Sequence, residues 1–239
     1  MTPEQAAHDT QAAVVRVPAR FMTDSATYAR GAELGFEGAD FYFAGRGGVL
    51  GDAPADVVAA AMVFFAPEAV RAAWERSGRV LPRRETAEEW ARCAHTYAVS
   101  NLPSSGDDER LAELLGVIVE HASPALVPLF AGWRSLPEPS GMKQLVMHRL
   151  NALRELRGGL HAAAVTTVGL TPLEAIAVRA PRVAAIAGWT SPLPETEPVQ
   201  DRWTLAEART DRMLGRHFAV LDEEELAELV DLLSQINAS

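Results

Sequence analysis

The chain has a single cysteine, Cys93, among 239 residues, so it cannot close a disulfide within itself. This low cysteine content favours a reducing compartment and predicts a cytoplasmic protein. Aromatic residues make up only 7% of the chain, and no segment alternates apolar and polar residues as a half-buried strand does. A fold built mainly from β-sheet is therefore not expected.

Several motifs that would identify a chemistry are also missing. The apolar run at 56–66 is too short to span a bilayer, and the first residues lack the basic start and apolar core of a secretory signal. The sequence has no phosphate-binding loop, no dinucleotide fingerprint, no HExxH and no GxSxG. We therefore expect no membrane association, no nucleotide cofactor and no metal.

The residues that are present favour helices. Capping-box spacings occur at Thr86–Glu89 and Thr171–Glu174, and Asp107 and Asp222 precede runs with leucines at helical spacing. Breaks rich in proline, serine or glycine fall at 101–107, 135–141 and 191–198. The sequence predicts an all-α bundle of nine or ten helices. We divide it into an N-terminal half, 1–102, containing an aromatic and glycine-rich loop, and a C-terminal half, 107–239, ending in a helix pair.

Two segments echo each other weakly. GRGGVLG at 45–51 is followed by FFAPEAVRAAW at 64–74, and LRGGLHA at 156–162 is followed by VRAPRVAAIAGW at 178–189. Each segment contains Arg-Gly-Gly and, farther on, an Ala-Pro step before a tryptophan. An ancient duplication into two pseudo-repeated halves and a chance match in an alanine-rich chain both remain open.

Charge is distributed unevenly along the chain. The net charge is −10, yet residues 143–182 carry six basic and only two acidic side chains. The segments on both sides are strongly acidic and would repel a phosphate backbone. The small basic island suits a small anionic organic molecule better than a DNA duplex.

The stretch RELRGGLH, at 154–161, concentrates that basic charge. On one continuous helix Arg154, Arg157 and His161 share a face, separate from the neighbouring leucines. If Gly158-Gly159 breaks the helix, His161 instead opens a second helix beside Arg157. In both cases two guanidiniums can hold an anion, and a histidine beside arginines stays neutral and can act as the catalytic acid or base. The alternative is a solvated basic face that pairs with acids elsewhere.

Other candidates are weaker. In FYFAGRGGVLG, at 41–51, Tyr42 and Arg46 could complete the same anion pocket, or the flanking phenylalanines could simply belong to the core. Cys93 and His95 are two residues apart and point to different sides of a helix, which favours a buried structural thiol. His148 and His161 would lie too far apart on one helix to form a metal pair.

A family resemblance rests on the segments RELRGGLHAAAVTTVGLTPLEAI and EARTDRMLGRHFAVLDEEELAELVDLL. In them the chain resembles an actinobacterial family of mostly uncharacterised helical proteins. That family is described as helix-turn-helix or winged-helix-like and is distantly similar to MarR-type regulators. The family's pattern has an arginine at the position of Arg154, an arginine before glycine at the position of Arg157 and a histidine at the position of His161. A further arginine of the pattern corresponds to Arg46.

The chain departs from the family after Gly188-Trp189-Thr190. There the family continues into a further helix and a wing-like hairpin, whereas this chain runs into SPLPETEPVQD, which carries Glu195, Glu197 and Asp201. The recognition segment would then be missing, which makes DNA an unfavourable partner.

Two functions follow from the sequence. The first is a small-molecule binder or cofactor-free acid–base enzyme (a lyase, isomerase, cyclase or hydrolase), with specialised metabolism as the setting implied by the resemblance. The second is a MarR-like DNA-binding regulator. Either protein could dimerise through LAELVDLLSQI in the C-terminal helices.

Overall fold

Residues 1–237 are described by a computed structural model and form twelve α-helices with no β-strand. The all-α fold is therefore confirmed. Two more helices occur than the upper prediction because segments such as Ala55–Ala61 and Pro128–Arg134, with seven residues each, are too short to show helical periodicity. The helices are α1 (Pro3–Met22), α2 (Ser25–Leu34), α3 (Asp40–Gly47), α4 (Ala55–Ala61), α5 (Pro67–Ser77), α6 (Arg83–Asn101), α7 (Asp108–His121), α8 (Pro128–Arg134), α9 (Met142–Thr167), α10 (Pro172–Arg179), α11 (Gln200–Phe218) and α12 (Glu223–Asn237).

The 26-residue helix α9 lies at the centre of the molecule. It packs against α1, α6, α7, α8 and α11, and most of its side chains are buried. The main hydrophobic core takes residues from Ala6 to Ile236, and a smaller cluster joins the end of α9 to α10 and α11. The sequence division at 103–106 coincides with the loop between α6 and α7, but the main core draws on both sides of it.

Most of the predicted helix starts are confirmed. Thr171 forms a complete capping box at the start of α10, and the Asp107 and Asp222 carboxylates accept backbone N–H groups at the starts of α7 and α12. The start predicted at Thr86 is wrong. Helix α6 begins four residues earlier, with Pro82 and not Thr86 at its N-cap, and the Thr86 hydroxyl donates to the Pro82 carbonyl from inside the helix.

The glycine-rich segment that follows the aromatics is helical, and not the loop that the sequence predicted. It forms α3 and a 3-10 turn at Gly48–Leu50. A Cβ at Gly45 would lie 2.6 Å from the Trp90 side chain, and one at Gly48 would lie 2.2 Å from the Arg83 carbonyl oxygen. Gly45 and Gly48 are therefore required by close packing on α6, whereas Gly51, at φ 66°, is required by the turn that ends the segment.

Gly158 and Gly159 do not break α9, so the interpretation of RELRGGLH as a helix break is wrong. A Cβ at Gly159 would lie 2.4 Å from the Val127 side chain, whereas a Cβ at Gly158 would have no atom within 4 Å. One glycine therefore permits close packing of the 123–127 loop, and the other leaves open space beside the helix.

Helices α9 and α10 form a helix-turn-helix. The four-residue turn Val168–Thr171 contains Gly169 in the left-handed region, at φ 74°, and the two helices are bent by 114°. This angle and turn length are typical of the motif. No single helix among residues 1–237 is long and apolar enough to cross a membrane, and α9 and α10 meet that test only together, as this bent pair.

The segment after α10 is hydrogen-bonded to a distant part of the chain. The Ala66 N–H donates to the Ala187 carbonyl oxygen over 2.9 Å, and the Trp189 indole N–H donates to the Phe64 carbonyl oxygen over 3.1 Å. The connection between α4 and α5 is thereby fixed to residues 187–189.

The two echoing segments fold differently. The first Ala-Pro step opens the regular helix α5, whereas the second opens only a 3-10 turn at Pro181–Val183. The first Arg-Gly-Gly lies at the end of α3 and the second lies within α9. The echo is thus confined to the sequence pattern at these positions.

The apolar residues of α12 pack inside the chain. Leu229, Leu233 and Ile236 are buried, and α12 contacts α1 and α7. The leucines that suggested a dimer are therefore occupied within one chain. A homodimer through the C-terminal helices stays a prediction.

The two glycines of α9 should respond oppositely to the same substitution. Gly158→Ala should raise the free energy of unfolding by about 0.5–1 kcal/mol, because alanine has the higher helix propensity and its methyl group enters open space. Gly159→Ala should lower it by about 1–3 kcal/mol, because its methyl group overlaps Val127. Urea denaturation measures both values. Equal effects of the two substitutions would contradict the packing described for α9.

Candidate functional site

The polar side chains of α9 are unusual because they lie in the protein interior. Glu155, Arg157 and His161 are each at most 2% exposed as residues, and Arg154 is partly buried. Charged side chains are rarely buried unless they are paired. Two neighbouring networks supply the partners.

The first network is centred on Glu155. Arg46, from α3, donates through Nε and Nη2 to the two oxygens of the Glu155 carboxylate, each over 2.8 Å, and Arg154 donates to Oε1 over 2.9 Å. Arg46 also donates to the Tyr42 hydroxyl over 3.3 Å. Burial alone would raise the pKa of Glu155, but Arg46 and Arg154 hold it below its usual value. Glu155 is therefore ionised and shared by two guanidiniums.

The second network is centred on Glu207, from α11. Arg157 donates through Nη2 to Oε2 of Glu207 over 2.7 Å, and Gln11 donates to the same oxygen over 2.7 Å. His161 Nε2 lies 3.6 Å from the other oxygen of Glu207. This network joins α1, α9 and α11.

The hydrogen bonds of His161 determine which ring nitrogen carries the proton. The Thr210 hydroxyl donates to the Ala206 carbonyl oxygen over 2.7 Å, so its oxygen is left to accept from His161 Nδ1, 2.9 Å away. The neutral ring is then protonated at Nδ1, and Nε2 keeps its lone pair. Burial, followed by the positive charges of Arg157 and Arg179, lowers the pKa of His161 to about 3. The ring is neutral at physiological pH.

Three nitrogens at this site have no hydrogen-bond partner within residues 1–237. They are Nε of Arg154, Nε of Arg157 and Nε2 of His161, and all three are buried. An unsatisfied buried polar atom costs about 1–3 kcal/mol, so each of these nitrogens would gain from a hydrogen-bonding partner.

A cavity of about 500 Å³ opens beside the first network. Its walls come from residues 56–65, from residues 126–129 and from the Gly158-Gly159 face of α9. Arg46 and Glu155 are among its polar lining residues, and most of the rest are apolar. Phe64 lines the cavity and also packs against the His161 ring, with ring centroids 5.5 Å apart. The size and the few converging polar groups are typical of small-molecule sites.

The sequence candidates on α3 and α9 are thus brought together. Arg154, Arg157, His161, Arg46 and Tyr42 occupy two adjacent networks, and their roles in binding or catalysis stay predictions. The two flanking phenylalanines of α3 belong to the core.

The carboxylates that pair with these side chains were missed. In the sequence, Glu155 is only one of the two acidic side chains among residues 143–182, and Glu207 lies 50 residues after Arg157. A spacing of that length leaves no local pattern in the sequence.

The other candidates lie elsewhere. His95 and His148 are paired, with 3.2 Å between Nε2 and Nδ1, although 53 residues separate them in the chain. Burial lowers the pKa of His95 to about 4, and Cys93 has its pKa raised to about 11 by burial, which keeps the thiol protonated. Across residues 1–237, no three His, Cys, Asp or Glu side chains are grouped so that they could hold a metal ion.

The surface of the helix-turn-helix carries charge of both signs. Arg179, at the end of α10, and Arg182, just beyond it, are exposed. Glu174 is held in the capping box and lies 3.5 Å from Arg202 of α11. Arg202 and Arg209 donate to the carbonyl oxygens of Gly169 and Thr167, which braces the turn against α11.

Comparison with known proteins identifies a family. The profile of a family described as a helix-turn-helix family matches residues 7–239. No curated protein and no solved structure matches the chain.

The state of His161 can be tested by long-range nitrogen–proton NMR. Between about pH 5 and pH 8 the ring should stay neutral and protonated at Nδ1. His8, whose pKa is raised mainly by its hydrogen bond to Asp211, should titrate in the same spectra and serves as the control. A His161 ring that becomes charged above pH 5 would contradict the assigned burial.

The same pKa predicts how stability depends on pH. Below pH 6.5 the unfolded chain binds a proton at His161, while the folded chain does not until the pH nears 3. As the pH is lowered through that window, the free energy of unfolding of the unaltered protein should fall more steeply than that of His161→Asn. The difference in slope should be up to about 1.4 kcal/mol per pH unit. Urea denaturation of both proteins at several pH values measures the difference, and parallel curves would contradict the expectation.

Proposed function

The chain belongs to the helix-turn-helix family, and from this premise we propose that it binds duplex DNA as a regulator. The observation that carries the proposal is the α9–α10 unit, with its four-residue turn and 114° bend, in a chain matched by the family over residues 7–239. In such motifs the second helix approaches the major groove, while neighbouring cations contact phosphates.

Charge decides which side of the motif faces the duplex. The segment 190–201, which follows α10, carries Glu195, Glu197 and Asp201, and a phosphate backbone would repel them. Arg179 and Arg182, which precede that segment, are exposed. The proposal therefore assigns phosphate contact to these two arginines. Helix α10 itself offers few polar groups, so base reading would rest on Thr171 and on apolar contacts.

The test is the affinity for a mixed-sequence duplex, measured by fluorescence anisotropy at several salt concentrations. Binding should weaken steeply as salt rises. Arg179→Ala with Arg182→Ala should weaken it further and should make the slope of log affinity against log salt shallower by about 1.8, since each phosphate contact contributes about 0.9.

The matched control is Arg84→Ala with Arg92→Ala on α6. Each double variant removes two positive charges from a chain of net charge −10, so the overall charge effect is the same. Equal loss in the two variants would contradict the assigned contacts. No binding to the duplex by the unaltered protein at low salt would contradict the DNA-binding proposal itself.

A second candidate is acid–base chemistry on a small organic anion. His161 would act as the proton acceptor once the charge of the bound anion offsets the arginine charges that help to lower its pKa to about 3. The observation that favours it is the unpaired lone pair of His161 Nε2. A substrate would reach that atom from the cavity only if the Phe64 side chain moved, because Phe64 contacts both the cavity and the ring. Turnover by the unaltered protein that is lost in His161→Asn, with folding intact, is the outcome that this candidate requires.

A further inference from the structure

The cavity beside α9 combines a charged floor with apolar walls. Arg46 and Glu155 provide the floor, and Phe64, Phe65 and Val127 are among the apolar wall residues. A side chain at position 158 would project into this space, and glycine leaves it open. The volume of about 500 Å³ accommodates a small organic molecule.

The Arg46 guanidinium has unused donors. Of its five N–H groups, the hydrogen bonds described within residues 1–237 use three: Nε and one N–H of Nη2 bind Glu155, and one N–H of Nη1 binds the Tyr42 hydroxyl. One N–H on each terminal nitrogen is left. Where Tyr42 accepts the Nη1 N–H that points away from Nη2, these two groups form a fork that binds both oxygens of a carboxylate.

The charge at the floor also favours an anion. Glu155 carries one negative charge, and the two guanidiniums that bind it, Arg46 and Arg154, carry two positive charges. One positive charge is therefore uncompensated within this network. Asp56, at the rim of the cavity, is itself paired with Arg71. A monoanion at the floor would balance the charge.

The mouth of the cavity contains a strained apolar residue. Leu126 has a φ of 67°, a conformation that residues with bulky side chains rarely adopt. The residue is 85% exposed. It lines the cavity from the loop before α8. Backbone strain of this kind occurs at ligand-binding positions, and Leu126 is placed to contact a molecule in the cavity.

We propose that this cavity binds a monocarboxylate with an apolar body. The carboxylate accepts the two free N–H groups of Arg46, the body lies against Phe64, Phe65 and Val127, and Leu126 covers the apolar end. The site is distinct from the DNA contacts assigned to Arg179 and Arg182, so either proposal can fail without the other.

The experiment uses octanoate and phenylacetate as probes, with octanol and phenylethanol as uncharged counterparts, in isothermal titration calorimetry of the full chain. Each carboxylate should bind at least about tenfold more tightly than its alcohol, because only the carboxylate pairs with the guanidinium. Arg46→Lys keeps the charge but loses the fork, and it should reduce this preference.

Gly158→Leu tests whether the carboxylate binds in the cavity, and it leaves the Arg46–Glu155 ion pair in place. The leucine side chain enters the open space of the cavity, so carboxylate binding should fall at least about tenfold while the melting temperature is maintained. Ala208→Leu, at an exposed position of α11, is the control for adding a leucine and should leave binding unchanged.

Three results would overturn the proposal. Equal binding of the carboxylates and alcohols would reject the ligand class. Unchanged binding in a folded Gly158→Leu protein would reject the cavity as the site. No binding of either carboxylate at millimolar concentration would reject both.

Discussion

The buried carboxylate of Glu155 is the constraint on which the rest of the interior depends. An ionised carboxylate away from water is tolerated only when opposite charges and hydrogen bonds surround it. Arg46 supplies them from α3 and thereby fixes the position of that short helix against α9. The close approach of α3 to α6, made possible by Gly45 and Gly48, brings the guanidinium to this depth. The cavity floor follows from the same arrangement.

Helix α9 also connects features that belong to different functions. Its middle carries both polar networks and one wall of the cavity, and its end is the first helix of the helix-turn-helix. The carbonyl groups at that end are not left to water, because Arg202 and Arg209 of α11 donate to them. Since α11 also carries Glu207, the partner of Arg157, one helix pair holds the charged interior and the turn together.

The sequence predicted local features well and long-range ones poorly. The caps at Thr171 and Asp107 depend on neighbours within four residues, and the shared face of Arg154, Arg157 and His161 depends only on helical spacing. The partners Glu207 and Thr210 come from another helix, and no local pattern indicates them. The glycines misled the prediction because a glycine in a helix costs only about 1 kcal/mol, which packing in a long buried helix readily offsets. The available space around Gly158 and Gly159 is a tertiary property.

The two hydrogen bonds between residues 64–66 and 187–189 have a thermodynamic consequence. They join a wall of the cavity to the segment that leaves the helix-turn-helix, across more than 100 residues of sequence. A displacement of the Phe64 backbone is then either transmitted to Trp189 or breaks the bond between them. Free-energy coupling is reciprocal, so a partner that favours one position of the 187–189 segment favours the matching position of the cavity wall to the same degree. Binding at the two surfaces is coupled to the extent that each shifts the backbone they share.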